Sequence, residues 1–241
     1  QMSKIIVVAE CGINWLGNLE IARNMITVAQ NCGADAAKFQ LYDVDKLFPD
    51  KAIMAQEKNW YEEVKKTQLS FEEVNWLAAY CQHIGIEFLA SCFDLERLSW
   101  LEEIGVKRHK VGSRANKDKE LIDAMIATGK EVLVSCQRSY LTETSFHADK
   151  SPIKYLYCVP EYPTPFNELE FDQIAFPPYS GFSDHTQGIE ACIVAMSRGA
   201  TIIEKHFTLD RSMPGPDMIC SMEPSELRDL VQFARKVEEV L

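Results

Sequence analysis

The chain has no C-x-x-C pair, no G-x-G-x-x-G run after its first apolar stretch, and only five histidines in 241 residues. Each shortage excludes something. The eight cysteines, at 11, 32, 81, 92, 136, 158, 192 and 220, stand singly, most of them inside apolar patterns. A structural zinc site or a disulfide framework is therefore not expected, and a reduced, cytoplasmic setting fits. Without the glycine fingerprint, an open dinucleotide-binding sheet is disfavoured. No apolar run approaches the roughly 18 residues of a membrane span. The start lacks a basic-then-apolar leader pattern, so no signal peptide is expected. Basic residues are in deficit, 25 Lys and Arg against 36 Asp and Glu, a formal net charge of −11. That argues against nucleic-acid or anionic-membrane partners. A local cluster of lysines can still hold a small anion.

What is present is alternation. Apolar strands are expected at 5–9, 36–41, 86–91, 106–111, 131–135, 153–158, 179–183 and 201–205. Helical patterns lie between them. One spans 19–31, with Asn18 as N-cap and Gly33 as stop. Another opens with Ser70 and Glu73 as a capping box and ends near Gly85. Others cover 95–104, 118–127, 188–199 and 225–240. Residues 42–66 form a polar and aromatic insertion. Residues 137–151 are short and polar, so the fifth helical connection is shortened, and the proline-rich 161–178 leaves little room for a sixth helix. Strand and helix alternate eight times in a chain close to the roughly 250 residues such folds take, with 46% apolar residues to fill a core. A (β/α)₈ TIM barrel, one domain over 1–241, is predicted.

Chemistry in that architecture gathers where strands end. Glu10 closes the first strand, where a carboxylate is costly unless partnered. Its partner is a substrate or a salt bridge in the barrel mouth. Lys38 and Gln40 share one face of the second strand. A lysine inside a buried strand needs an anion, either Glu10 or a ligand. Ser91 ends the third strand. Lys110, Gly112 and Ser113 end the fourth, and a second buried lysine favours an anion site over two unrelated ion pairs. Tyr162 sits in a rigid Tyr-Pro-Thr-Pro loop. Asp217 follows Arg211 in the loop after the last strand. His185 and His206 follow the last two strands and should emerge at the same end. Paired imidazoles suit a divalent metal, with Asp184, Glu204 and Asp217 nearby in sequence; strand capping is the structural alternative. Cys136 and Cys158 lack an evident activating base and read as packing. Trp60, Tyr61 and Trp76 also read as packing. His83, His109 and His147 read as surface or core residues.

Six motifs together resemble the sialic acid synthase family: AECGIN at 9–14, GADAAKFQ at 33–40, KVGS at 110–113, YPTP at 162–165, GFSDHT at 181–186 and EKHFTLDRSMPGPD at 204–217. The resemblance implies a barrel that condenses phosphoenolpyruvate with the aldehyde form of an N-acylated hexosamine, using Mn²⁺ or Mg²⁺. It implies that His185 and His206 bind the metal. Lys38, Ser91, Lys110, Ser113 and Ser183 would hold phosphoenolpyruvate. Gln40, Tyr162 and Asp217 would face the sugar, and Glu10 would assist proton transfer or orientation. Glu10, Lys38, Lys110 and His185 are thus the expected catalytic groups. Family members usually carry a C-terminal antifreeze-like domain and tend to form homodimers; the 241 residues are expected to hold the barrel alone. Two other readings stay open: a barrel that binds a sugar or a partner protein without turnover, and another metal-dependent aldolase or lyase with a pyruvate-like donor, for which Lys38 or Lys110 is the candidate Schiff-base lysine.

Overall fold

The computed structural model describes residues 4–48, 60–143 and 152–240. Eight parallel strands close into one barrel in chain order: β1 (Ile6–Gly12), β2 (Ala36–Leu41), β3 (Glu87–Cys92), β4 (Arg108–Val111), β5 (Glu131–Cys136), β6 (Ile153–Cys158), β7 (Gly181–Asp184) and β8 (Ile202–His206). Outside them run α1 (Leu19–Asn31), α2 (Val44–Leu47), α3 (Trp60–Lys66), α4 (Phe71–Ile84), α5 (Leu95–Ile104), α6 (Lys119–Ala127), α7 (Arg138–Glu143), α8 (Glu190–Ser197) and α9 (Pro224–Val240). This is the (β/α)₈ barrel that the alternation predicts.

Local chemistry sets most element ends. The Asn18 side chain accepts from Glu20 N, and Ser70 with Glu73 forms the expected capping box. Gly85 follows α4 at φ 81°, a left-handed position that a β-carbon would strain. Most boundaries shift by one or two residues from those expected, and two of the shifts have a clear local cause. The last helix begins at Pro224 rather than Ser225, because proline's missing N–H costs nothing at the first helical position. β1 runs past Ala9 to Gly12, because Glu10 aligns with Lys38 on one side and His206 on the other.

The period-2 alternation of strands divides the core in two. Val8, Ala36, Leu89, Leu133, Leu156 and Ile202 point inward and plug the lower barrel. Their outward neighbours, such as Val7, Ala37, Val134 and Ile203, join a much larger core beneath the helices. Gly181 lets β7 approach β8 closely: a β-carbon there would lie 2.1 Å from the Ile202 carbonyl oxygen.

The described residues of the 42–66 insertion, 42–48 and 60–66, contribute two short helices, α2 and α3. Tyr42, Val44, Tyr61 and Val64 cluster with Ile13 beside the first loop, and the Tyr42 hydroxyl donates to Val64 O at 2.9 Å. The fifth connection begins with the six-residue α7, and the sixth holds a 3₁₀ turn, Phe166–Leu169, as its sequence suggests. Trp76 stacks on Tyr80 at the surface rather than in the core. His83 is exposed, and His109 is buried on the outer face of β4 beside Glu102. His147, the Trp60 side chain and the 144–151 part of the fifth connection lie outside the described residues. Among the described residues, no helix is long and apolar enough to cross a membrane.

Candidate active site

The polar residues at the barrel mouth stand one inward step above the apolar plug. Glu10 follows Val8 by two positions, Lys38 follows Ala36, Ser91 follows Leu89, Ser135 follows Leu133, Cys158 follows Leu156, and Glu204 follows Ile202. Because side chains alternate, each strand that contributes an apolar plug residue delivers a polar or thiol group next. β4 adds Lys110 and β7 adds Ser183. The plug closes the lower barrel, so the site opens at the C-terminal mouth.

Charge is concentrated on one side of this mouth. Lys38 Nζ lies 2.7 Å from Glu10 Oε2 and donates to Ser91 Oγ at 2.9 Å. Gln40 Nε2 donates to the other Glu10 oxygen at 2.9 Å. Lys110 Nζ donates to Ser135 Oγ at 2.8 Å and to Val111 O at 2.9 Å. Glu204 stands between the two lysines, 3.8 Å from Lys38 Nζ and 3.7 Å from Lys110 Nζ, and accepts from Ser183 Oγ at 3.0 Å. All four charged groups are buried. Burial works against ionised Glu204, but Lys110, Lys38 and the Ser183 bond outweigh it and hold the carboxyl down at about 2. Burial also works against the Lys38 ammonium, yet Glu10 and Glu204 raise it above the ordinary lysine value. Lys110 is lowered, because burial and the neighbouring Lys38 outweigh the attraction of Glu204.

The ends of the last two strands carry the two imidazoles, their ring centres 5.5 Å apart, with His206 in register with Glu10. His185 Nδ1 lies 2.8 Å from Val159 O, so it carries the proton and leaves Nε2 as a free lone pair. Burial, then the neighbouring His206, lowers His185 to about 3, so the ring is neutral. His206 Nδ1 is buried without a hydrogen-bond partner and lies 3.8 Å from Asp217 Oδ2. Tyr162 covers His185, ring centres 4.1 Å apart, and keeps 46% of its surface exposed, as a residue at the rim would. Gly12, at φ 49°, keeps this space open: a β-carbon there would meet Glu10, Gln40 and His206 at 3.2 to 3.5 Å.

Every residue singled out from the sequence comes to this mouth: Glu10, Lys38, Gln40, Ser91, Lys110, Tyr162, Ser183, His185, His206 and Asp217, with Ser113 beside the Cys158 thiol at the start of the turn after β4. Two of the three carboxylates nearby in sequence separate. Glu204 turns inward between the lysines, whereas Asp184 turns outward and pairs with Lys205 at 2.7 Å. The sequence does not single out Ser135, gives Cys158 as packing and leaves Glu204 unplaced. The signal was there for Glu204, two positions before His206 on one strand and therefore on its face. Cys136 packs in the outer core, as expected. Cys158 does not; it lines the mouth 3.8 Å from His185 Nδ1, and burial raises its thiol to about 12, which keeps it protonated.

A neutral imidazole and an orphaned buried ring nitrogen facing the same space fit a divalent metal. No group of three or more His, Cys, Asp or Glu side chains is arranged as a metal cage among the described residues. The donors such an ion would find here are the two imidazoles alone. Glu10 Oε2 and Glu204 Oε2 are likewise buried without an aligned hydrogen bond.

Residues 25–241 match the NeuB family. The N,N'-diacetyllegionaminic acid synthase of Campylobacter jejuni is 32% identical over 261 residues, covering 100% of this chain and 78% of that protein. The N-acetylneuraminate-9-phosphate synthase of Mus musculus is 32% identical over 253 residues, covering 98% of this chain and 70% of that protein. Among solved structures, the N-acetylneuraminic acid synthetase of Leptospira borgpetersenii, in complex with citrate, superposes with a TM-score of 0.89. It is 31% identical, and the match covers 99% of this chain and 85% of that one.

Proposed function

The chain belongs to the NeuB family, and from that premise we propose that it condenses phosphoenolpyruvate with the open-chain aldehyde of an N-acylated hexosamine. The products are a nonulosonic acid and phosphate. The observation that carries this is the pair of buried ammoniums, Lys38 and Lys110, both reaching Glu204 across a mouth that also holds two facing imidazoles.

Phosphoenolpyruvate brings a phosphate and a carboxylate. Lys38, Lys110 and the hydroxyls of Ser91, Ser113 and Ser183 supply the charge-assisted donors that such a dianion needs. In a mouth closed below by an apolar plug, these donors are fixed before the substrate arrives and need little reorganisation as charge moves. Gln40, Tyr162 and Asp217 surround the imidazole side and would orient the sugar. The methylene carbon of phosphoenolpyruvate forms a bond to the aldehyde carbon, whose oxygen takes up a proton. Water adds to the resulting oxocarbenium carbon and gives up a proton. Phosphate then leaves with cleavage of the C–O bond, which yields the 2-keto acid. Glu10, anchored by Lys38 and Gln40, is the carboxylate placed to orient a reacting group or move one of these protons. His185 and His206 would hold Mn²⁺ or Mg²⁺, which when bound supplies Lewis acidity toward the aldehyde oxygen and a site for water.

A phosphate-release assay with phosphoenolpyruvate, Mn²⁺ and a panel of N-acylated hexosamines tests the proposal. Release should require all three components, and His206→Ala should abolish it while leaving the circular dichroism spectrum intact. No release with any sugar, from protein that binds the metal, would sink it. Borohydride inactivation with a pyruvate-like donor would point instead to a Schiff base on Lys38 or Lys110.

A further inference from the structure

We infer that the buried Asp184–Lys205 ion pair, on the outer face of the barrel, is a positioning device that sets the spacing of the His185 and His206 imidazoles. This rests on the proposal that those imidazoles hold a divalent metal.

The pair occupies the last rung shared by β7 and β8, Asp184 opposite Lys205. Beyond that rung no β7–β8 pairing carries His185, so its position must come from elsewhere. Lys205 supplies it from both sides. Its ammonium contacts Asp184 Oδ2, just before His185, at 2.7 Å, and donates to the carbonyl of Thr186, just after it, at 2.7 Å. His185 is thus bracketed by two attachments to one side chain. That side chain belongs to the residue preceding His206. A single buried ammonium therefore ties the backbone on both sides of one imidazole to the strand that carries the other.

The carboxylate end is equally constrained. Asp184 accepts from Thr186 N at 2.8 Å, from Thr186 Oγ1 at 3.2 Å and from the Cys192 thiol of α8 at 3.1 Å. Asp184 and Lys205 are each 1% exposed, and Thr186 and Cys192 are fully buried. An ion pair so deeply buried is a poor source of stability, since desolvation offsets most of the attraction between the charges. Apolar residues of similar volume would pack as well. What they could not do is hold the Thr186 carbonyl and Thr186 amide in fixed directions, which is what locates the ring between Asp184 and Thr186. The other His185 contacts, Thr164 N to His185 O at 2.9 Å, His185 Nδ1 to Val159 O at 2.8 Å, the Cys158 thiol and the Tyr162 ring, tie it to β6 and the loop after it, not to β8.

The test is Mn²⁺ titration of the full chain, followed by electron paramagnetic resonance of the free ion. The variants are Asp184→Asn, Lys205→Met, the double variant, and Leu230→Ala as a destabilised control in α9. Phosphoenolpyruvate binding without metal is measured by calorimetry on the same proteins. The double variant removes both charges together and avoids stranding either one. Its Mn²⁺ affinity should fall about tenfold or more, the usual cost of losing support for a ligating histidine. Phosphoenolpyruvate affinity should stay within about twofold, because Lys38 and Lys110 lie on other strands. Asp184→Asn, which keeps an acceptor for Thr186 N, should lose less than Lys205→Met. Unchanged Mn²⁺ affinity in a folded double variant overturns the positioning role and leaves the metal proposal standing. Equal losses of both ligands, shared by Leu230→Ala, overturn it in favour of general destabilisation. A wild-type chain that binds no Mn²⁺ overturns the metal proposal and this inference with it.

Discussion

Glu204 shows how one residue can carry the electrostatics of a whole site. It is the carboxylate that both buried lysines reach, and it is held ionised by them. Glu204→Gln should therefore destabilise the chain by about 3 kcal/mol, because the two buried ammoniums lose a shared counter-charge. Urea unfolding at pH 7 measures this; a loss below about 1 kcal/mol would mean that Glu10 and solvent suffice. Lys38, Lys110 and both histidines stand out in the sequence as groups of the barrel mouth, because a charge or imidazole at a buried strand end contrasts with apolar neighbours. The sequence leaves Glu204 among nearby carboxylates for a physical reason. Three acidic residues lay within reach in sequence, and only strand rotation separates inward Glu204 from outward Asp184.

Elements differ in how much of their design is local. The caps of α1 and α4 are written in adjacent residues, so Asn18 and Ser70 were readable without any tertiary information. The helices of the 42–66 insertion were not, since Tyr42 and Tyr61 find each other only through the cluster around Ile13. Gly181 belongs with the second kind. Nothing in its neighbourhood marks it as special, yet β8 passes so near that a β-carbon would collide with the Ile202 carbonyl. Gly181→Ala should force β7 outward and cost about 1–3 kcal/mol, the usual range for overpacking. It should also weaken turnover, because Ser183 and His185 ride on the same strand. A variant with wild-type urea midpoint and turnover would show that β7 can shift without consequence.

For the molecule as a whole, the buried site makes stability depend on pH in one direction. His185 is lowered from its ordinary 6.5 to about 3, so between those values the unfolded chain binds a proton that the folded chain refuses. Stability is then complete above about pH 6.5 and declines as pH falls, by about 1.4 kcal/mol per unit for one such group. Glu204, lowered from 4.5 to about 2, adds a loss of the same sign below pH 4.5. Urea titrations in chelator from pH 7.5 to 5 should show the first of these losses while Glu204 remains ionised. A flat profile over that range would mean that His185 takes up its proton in the folded state.

By itself the sequence determined the barrel and the cast of the site. Alternation of strand and helix, and a polar residue closing each inner face, are one-dimensional patterns that survive without coordinates. Only the tertiary structure decided how the cast is divided. It set Glu204 between Lys38 and Lys110, and it turned Asp184 away to Lys205. It also brought the two imidazoles together, with His206 beside the space that Gly12 leaves open. The physical reason is closure: which charges meet depends on the rotation and stagger of strands distant in sequence, and the barrel fixes both only when β8 pairs with β1.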